Sequence, residues 1–387
     1  MKSFRLIAGP VFFLAAELVA AQSAPRDISV NAPDGTALKG TYFPAPKPGP
    51  GILLFHQCNR ERKTWTNLAT SLAAKGFHVL AIDYRGYGES GGGPYASPQE
   101  QQQSMAEDWP GDIDAAFEFL LREPGVDRNR IGAAGASCGV NQSIQLARRH
   151  PEVKSIALLS GSTDQAGRDH LRRSDWLPVF ASASDDDGDA VPLLRWILSF
   201  SHSLKNQFVQ YKAAGHGTDM FKVELGLEPL IVTWFEKTLP NAPAAAPVQR
   251  TGKARKPTTV ELFWDLLSQP GGAARAREFY ADAKGRDPKV FLFPESAVNQ
   301  LGYERLQAGA VEEAVQVFLL NVDAYPDSAN VYDSLADGYV AAGKTQLAIQ
   351  YSERALATLA KNPPADKQFA QAVRQSAEEK LRKLRQP

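Results

Sequence analysis

The chain of 387 residues is poor in cysteine and histidine and has no excess of either charge, and each shortage closes off a class of function. Two cysteines are too few for a disulfide scaffold. With six scattered histidines they form no CxxC or HxxxH pattern, so no metal and no other cofactor is expected. Lys plus Arg is 43 and Asp plus Glu is 43, which leaves no basic surplus to neutralise a phosphate backbone, and nucleic acid is not an expected partner. The first apolar run, residues 6–16, falls short of the roughly 20 residues of a membrane-spanning helix, contains Gly9 and Pro10, and is followed by Glu17. No stable membrane anchor is expected. What remains is 43% apolar and 22% charged, an ordinary globular composition. At roughly 100–200 residues per domain, the length suits two or three domains.

Lys2 and Arg5 precede that short apolar run, and Val19 and Ala21 then fit the minus-three and minus-one positions of a secretory cleavage site. Residues 1–21 therefore read as a signal peptide, and the mature protein is expected to be periplasmic or secreted.

From 22 to 239 short β-branched or aromatic runs alternate with helical periodicity, the pattern of βα units around a mostly parallel sheet. Strands are expected at 52–55, 77–82, 131–134, 153–159, 177–183 and 207–211. A hairpin around Asp34-Gly35 opens the sheet. Ile113, Ala116, Phe117, Leu120 and Leu121 mark one clear helix, and the run 196–204 with His202 reads as another. Residues 240–256, rich in Pro, Ala and basic side chains, break all periodicity and read as an exposed linker. The stretch 160–175 is too short for a large lid, so an open pocket is expected, bordered by Gly86–Pro94 and the polar segment 97–104.

Beyond the linker, helix replaces alternation. Gly309, Ala314, Phe318 and Pro326 in one 34-residue register are followed by Tyr339, Gly343, Ala348 and Ala355 in the next. Gly271, Ala276, Tyr280, Ala283 and Pro288 hold equivalent places upstream. This pattern resembles the tetratricopeptide repeat over 257–362, as a degenerate copy at 257–290 and copies at 295–328 and 329–362. Arg305, Asn321 and Ser352 depart from it. The resemblance implies stacked helix pairs with a concave groove able to take a protein or peptide partner. Residues 363–387, charged on one face, would close the array as a solvating helix.

Candidate chemistry begins at Gly135-Ala136-Ser137-Cys138-Gly139. The GxSxG pattern alone is weak, and Gly88-Glu89-Ser90-Gly91-Gly92 is a second Gly-x-Ser-Gly cluster in the same chain. Context separates them: Ser137 directly follows an expected strand and precedes Val140, Ile144 and Ala147 at helical spacing, as a nucleophile elbow requires. Ser90 is followed by Gly93 and Pro94, which cannot open a helix. A serine hydroxyl needs a base, and the base an orienting carboxylate, in the chain order Ser, acid, His. His150, His170, His202 and His216 follow Ser137. His216, between two glycines in a loop after an expected strand, is the preferred base; its bland alternative is a turn histidine. After the preceding strand the chain offers Asp185, Asp186, Asp187 and Asp189. Distance from the strand end favours Asp187, with Asp186 next. Upstream, 52–55 runs into His56-Gln57-Cys58-Asn59, where an ester hydrolase places one oxyanion-hole amide, here that of Gln57; the second would come from Cys138. His56 reads as a packing residue.

The ordered segments FHQCNR, AIDYRGYGES, GVDRNRIGAAGASCG and AAGHGTDMF resemble the α/β-hydrolase superfamily over Asp27 to Leu239, and within it the small dienelactone-hydrolase-like serine esterases. The resemblance implies a Ser137, Asp187, His216 triad and an oxyanion hole from the Gln57 and Cys138 amides. This chain has serine where dienelactone hydrolases proper have cysteine, so their substrate class does not carry over. The fold would also bring Cys58 and Cys138 together, and an exported protein meets an oxidising compartment, so a disulfide between them is expected. The reading is an α/β-hydrolase domain followed by an all-α repeat domain: an exported serine hydrolase of carboxylic esters. A peptidase or thioesterase on the same fold, or a binding protein acting through its repeats, are the alternatives.

Overall fold

A computed structural model of the chain describes residues 24–244, 256–364 and 366–386. The expected signal peptide, and most of the expected linker, lie outside the described residues.

Among the described residues eight strands form one sheet in the order β1-β2-β4-β3-β5-β6-β7-β8. They are β1 Arg26–Asn31, β2 Ala37–Phe43, β3 Gly49–Phe55, β4 His78–Ile82, β5 Val126–Ala136, β6 Val153–Leu159, β7 Val179–Ser184 and β8 Gln207–Tyr211. The hairpin β1–β2 and the β2–β4 pair are antiparallel, and every other pair is parallel. The reason is in the side chains: β4 and β6 are buried along their whole length, as continuous apolar runs covered on both faces must be. β1, the edge strand, alternates buried and exposed residues, and its neighbour β2 alternates buried and half-buried ones.

The helices are α1 Thr66–Ala74, α2 Pro98–Glu107, α3 Trp109–Arg122, α4 Cys138–Arg149, α5 Gln165–Arg173, α6 Ala190–Leu198, α7 Met220–Val223 and α8 Leu227–Thr238. Leu68 and Leu72 of α1, with Ile231 and Phe235 of α8, cover one face of the sheet. Ile113 and Phe117 of α3, Ile144 of α4 and Leu194 of α6 cover the other. The polar segment expected to border the pocket begins α2, with Ser97 capping it through the Glu100 amide. The helical run expected through His202 ends instead at Leu198. Ser199 turns its hydroxyl back onto the Trp196 carbonyl at 2.6 Å, the local bonding with which serine competes against helix.

Among the described residues seven further helices follow: α9 Thr259–Ser268, α10 Gly272–Arg286, α11 Glu295–Gln307, α12 Val311–Ala324, α13 Ala329–Ala341, α14 Thr345–Lys361 and α15 Lys367–Leu384. Gly309 and Gly343, at equivalent places in the two expected copies, end α11 and α13 with positive φ, which allows the tight turn into the partner helix. Gly302 and Gly338 pack against the Phe318 ring, where a methyl group at 302 would lie 2.3 Å from it. Two of the departures from the repeat pattern are buried, and Asn321 donates to the Glu295 carbonyl at 3.1 Å. The apolar core on the α3–α6 face of the sheet continues without a break into Phe263, Trp264 and Leu267 of α9 and Phe293 before α11.

A buried ion pair ties the sheet's carboxyl edge. Asp83, fully buried after β4, accepts from the Arg62 guanidinium, from the Arg62 amide at 2.7 Å and from the Glu89 amide at 3.1 Å. Arg62, 2% exposed, also reaches Glu89 and Thr41. Removing one partner of such a pair strands a charge away from water, so Asp83→Ala should lower the unfolding free energy by about 3–5 kcal/mol. Urea denaturation measures it; a loss well under 1 kcal/mol would mean that Glu89 and Asp27 compensate Arg62 without it.

Candidate active site

The strand order reverses between β3 and β5, because β4 lies on one side of β3 and the later strands on the other. Ligands of open α/β sheets bind in the crevice beyond the carboxyl ends of strands at such a switch. Here β3 runs into His56-Gln57-Cys58 and β5 into Ser137.

Ser137 adopts φ 53° and ψ −117° between β5 and α4, a left-handed backbone conformation in a non-glycine residue. Strain of this kind costs of order 1–3 kcal/mol and persists only where its surroundings impose it. The surroundings are backbone packed on backbone. A methyl group at Gly135 would lie 1.9 Å from the Gly139 carbonyl oxygen, and one at Gly139 would lie 2.4 Å from that of Phe55. Only glycine at both places lets β5, α4 and β3 meet and turn Ser137 out of the strand. The Ser137 amide is held by the Leu159 carbonyl at 2.8 Å.

Cys58 and Cys138 are joined by a disulfide, with Cα atoms 5.8 Å apart, so the loop after β3 is bonded to the first residue of α4. His56 is fully buried beneath this loop. Its Nδ1 donates to the Gln57 carbonyl at 2.8 Å and its Nε2 accepts from the Tyr84 amide at 3.2 Å, a pair of partners that fits the neutral ring. Burial pushes its pKa down to about 4. Both nitrogens are occupied in holding loops together.

The Gln57 side chain makes the next connection. Its Oε1 accepts from the Thr218 amide at 2.8 Å and the Thr218 hydroxyl at 2.9 Å, while its Nε2 donates to Asn59. A methyl group at Gly217 would lie 2.3 Å from that Oε1 and 3.2 Å from the Ala136 side chain. The loop carrying His216 therefore lies directly against the residue before Ser137. His216 Nδ1 is 2.8 Å from each carboxylate oxygen of Asp187.

The four aspartates left open by sequence have separate partners. Asp185 accepts from Gln210, Asp187 faces His216, and Asp189 accepts from Ser296. Asp186 accepts from the Ser184 hydroxyl, which holds its pKa down, and from the Gly215 amide at 3.2 Å. The Ser184 hydroxyl in turn accepts from the Ala214 amide at 2.8 Å. Asp186 and Ser184 thus shape the His216 loop from below. The other histidines are engaged elsewhere: His150 with Asp114, His170 beside Ser174, and His202 with Glu261. Thr218 and Ser184 were not singled out by sequence, since a hydroxyl that bonds across loops leaves no pattern in the chain.

Beside the loop after β3 opens a cleft of about 640 Å³ lined by Asn59, Arg60, Lys63, Thr64 and Tyr87, with Gly86 and Gly88. Its cations are paired, Arg60 with Asp219 at 2.7 Å and Lys63 with Glu89 at 3.2 Å. A second cavity of about 620 Å³, between β1 and α3, lies away from these residues. Among the described residues no group of three or more His, Cys, Asp or Glu side chains is placed to hold a metal ion.

The disulfide closes a loop of 80 residues. Replacing both cysteines by serine should lower the unfolding free energy by about 2–4 kcal/mol. Thiol titration of the denatured, unreduced protein should find no free thiol, and two per chain would contradict the bond. His56 has a folded pKa of about 4, below the 6.5 of an exposed ring, so the unfolded chain takes up the proton first. Its contribution to stability is complete above about pH 6.5 and is lost as pH falls toward 4. His170, also lowered to about 4 by burial, adds a slope of the same sign. His56→Asn should therefore flatten, without abolishing, the fall in unfolding free energy between about pH 7 and 4.5. Equal slopes in the two proteins would refute this assignment.

A family model described as alpha/beta hydrolase fold matches residues 50–208. An uncharacterised protein of Mycobacterium tuberculosis is 34% identical over 160 residues, which are 40% of this chain and 52% of that protein. A thiohydrolase of Aspergillus aculeatus is 33% identical over 124 residues, 32% of this chain and 37% of that one. The chain thus spans about half, or less, of the length of these curated relatives. Among solved structures, an esterase of Pyrococcus furiosus aligns with a TM-score of 0.46 at 16% identity, covering 56% of this chain and 93% of that one. Sheet order, elbow and family match agree, and this part of the chain has the alpha/beta hydrolase fold, followed by an all-helical C-terminal region.

Proposed function

We propose that the protein is a serine hydrolase of carboxylic esters, with Ser137 as nucleophile, His216 as base and Asp187 as the acid. The observation that carries this is the paired contact of His216 Nδ1 with both Asp187 oxygens at 2.8 Å, in a loop packed against the strained elbow of Ser137. In the first step Ser137 Oγ attacks the ester carbonyl carbon while its proton passes to His216 Nε2. Asp187 stabilises the resulting imidazolium. The backbone amides of Gln57 and Cys138, one after β3 and one opening α4, hold the negative oxygen of the tetrahedral intermediate. The alcohol leaves with the proton from His216. Water, deprotonated by His216, then attacks the acyl-enzyme, and the acid departs as Ser137 recovers its proton.

Export is part of the proposal: the reading of residues 1–21 as a signal peptide and the Cys58–Cys138 bond both suit an oxidising compartment. A thioester is the second candidate substrate, favoured by the 33% identity to the Aspergillus thiohydrolase, since ester and thioester cleavage share these parts. The C-terminal helices would follow the tetratricopeptide pattern.

A fluorophosphonate should label the parent protein at Ser137. On a short-chain p-nitrophenyl ester, Ser137→Ala should lower kcat by roughly 10⁴- to 10⁶-fold. Asp187→Asn should cost about 10⁴-fold and Asp186→Asn far less, because only the first strips His216 of its carboxylate. An unlabelled parent, or an Ser137→Ala variant as active as the parent, would end the proposal. Comparing kcat/KM for the ester and for a thioester of the same acyl group decides between the two substrates.

A further inference from the structure

The segment that carries the acid does not stand alone. Asp187 is followed by Gly188, with φ 51° and open space around it, and then by Asp189, which precedes the first residue of α6. The turn across Gly188 is closed by the Ala190 amide on the Asp187 carbonyl at 3.0 Å, so Asp187 moves with the start of α6 and whatever holds that start holds Asp187. Asp189 is fixed, and by the C-terminal helices. Its Oδ2 accepts from the Ser296 hydroxyl at 2.6 Å and from the Ser296 amide at 3.3 Å.

The chemistry of α11 explains the attachment. The first amides of a helix lack intrahelical acceptors and favour a negative charge. The residue preceding α11 is Pro294, whose side chain has no acceptor, and no side-chain cap is formed within this segment. Asp189 supplies the missing acceptor from the other part of the chain. The neighbouring Glu295 carboxylate is taken up separately by Ser328 and Asn330, both at 3.0 Å.

Two further contacts hold the same face. Arg172 of α5 forms a paired bond with Asp265 of α9 at 2.6 and 3.0 Å and reaches buried Glu261 at 3.2 Å. The Arg168 guanidinium lies 4.9 Å from Trp196 of α6 and 4.9 Å from Trp264 of α9, one ring from each part of the chain. The helix carrying Trp196 is the one that Asp189 begins, so α6 is held at its start and along its length.

We infer that the C-terminal helices hold the acid loop in its working geometry, and that Ser296 is a positioning residue for Asp187, acting through Asp189. This rests on the triad reading above. Ser296 touches neither substrate nor His216; it sets where the Asp187 carboxylate meets His216 Nδ1. Misplacement of a catalytic group by even about 1 Å, caused by a change far from the chemistry, can cost up to about 10²-fold in rate.

The test compares full-length Ser296→Ala, Ser296→Thr and Ser137→Ala with the parent on the short-chain ester. A readout independent of turnover accompanies it: the low-field proton resonance of the His216 Nδ1–H bonded to Asp187. Ser296→Ala should lower kcat about tenfold, within the range that such misplacement allows, with KM changed less than twofold. It should also broaden or shift the resonance. Ser296→Thr, which keeps the hydroxyl, should restore both. If Ser296→Ala matches the parent in kcat and resonance while Ser137→Ala is inactive, the positioning role is overturned and the hydrolase stands. If Ser137→Ala is as active as the parent, the hydrolase reading falls, and the resonance alone decides the contact: unchanged in Ser296→Ala, it overturns the inference.

Discussion

Everything at the carboxyl edge of the sheet depends on how closely three backbones approach at Gly135 and Gly139. With glycine at both, β5 ends, turns at Ser137 and enters α4 within one residue, and α4 begins against the carbonyl of Phe55 at the end of β3. The same closeness brings Cys58 to Cys138, because each cysteine is a near neighbour of one of those backbones. It also leaves a slot narrow enough that the loop after β8 can enter only with glycine at 217. The elbow, the disulfide and the seat of His216 are therefore consequences of one steric condition. The unfavourable backbone of Ser137 is held by the packing of the sheet, which buries far more than the roughly 1–3 kcal/mol the strain opposes.

A second regularity concerns charge. Carboxylates cluster at this edge, yet each has a distinct set of donors, some from its own loop and some from segments distant in sequence. Asp83 gathers Arg62 and the Glu89 amide, Asp186 gathers Ser184 and Gly215, and Asp189 gathers Ser296. Burying a charge without partners is costly, so each satisfied carboxylate pins the loops that supply its donors. Asp187 has His216 as its principal partner, and this is why it alone of the four can orient a ring. An aspartate that also had to cap a helix or brace a loop would be less free to follow the imidazole.

This division also marks what was legible in the sequence and what was not. The strands were readable because buried parallel strands are unbroken apolar runs, and Ser137 was separable from Ser90 because only one of them stands between a strand and a helical period. Asp187 could be preferred over Asp186 by distance from the strand end, but the partners of Asp186 and Asp189 could not be foreseen. Gly215 and Ser296 lie 29 and 107 residues away, and a single hydrogen bond across that distance leaves no periodic trace. The end of α6 before His202 was missed for the opposite reason: apolar spacing continued, while a local serine bond decided the backbone. The repeat pattern likewise placed helix pairs at 257–290 and 295–328 without showing what covers them.

What covers them changes the meaning of the C-terminal region. The Arg168 guanidinium is buried, donates to the Thr163 carbonyl and to Gln165, and leaves its Nε without a partner. Burial lowers its pKa to about 10, so it still carries its charge at neutral pH. A buried cation needs compensation; beside the Glu304, Asp164 and Asp169 carboxylates, two indole faces contribute it, at up to about 2 kcal/mol for a desolvated pair. One face belongs to α6 and the other to α9. Without α9 the cation would have one ring and the apolar surface around Leu193 and Trp196 would meet water. The sheet and the first C-terminal helices thus share one apolar core, and the all-helical region also bonds, through Ser296 and Asp189, to the segment that begins α6.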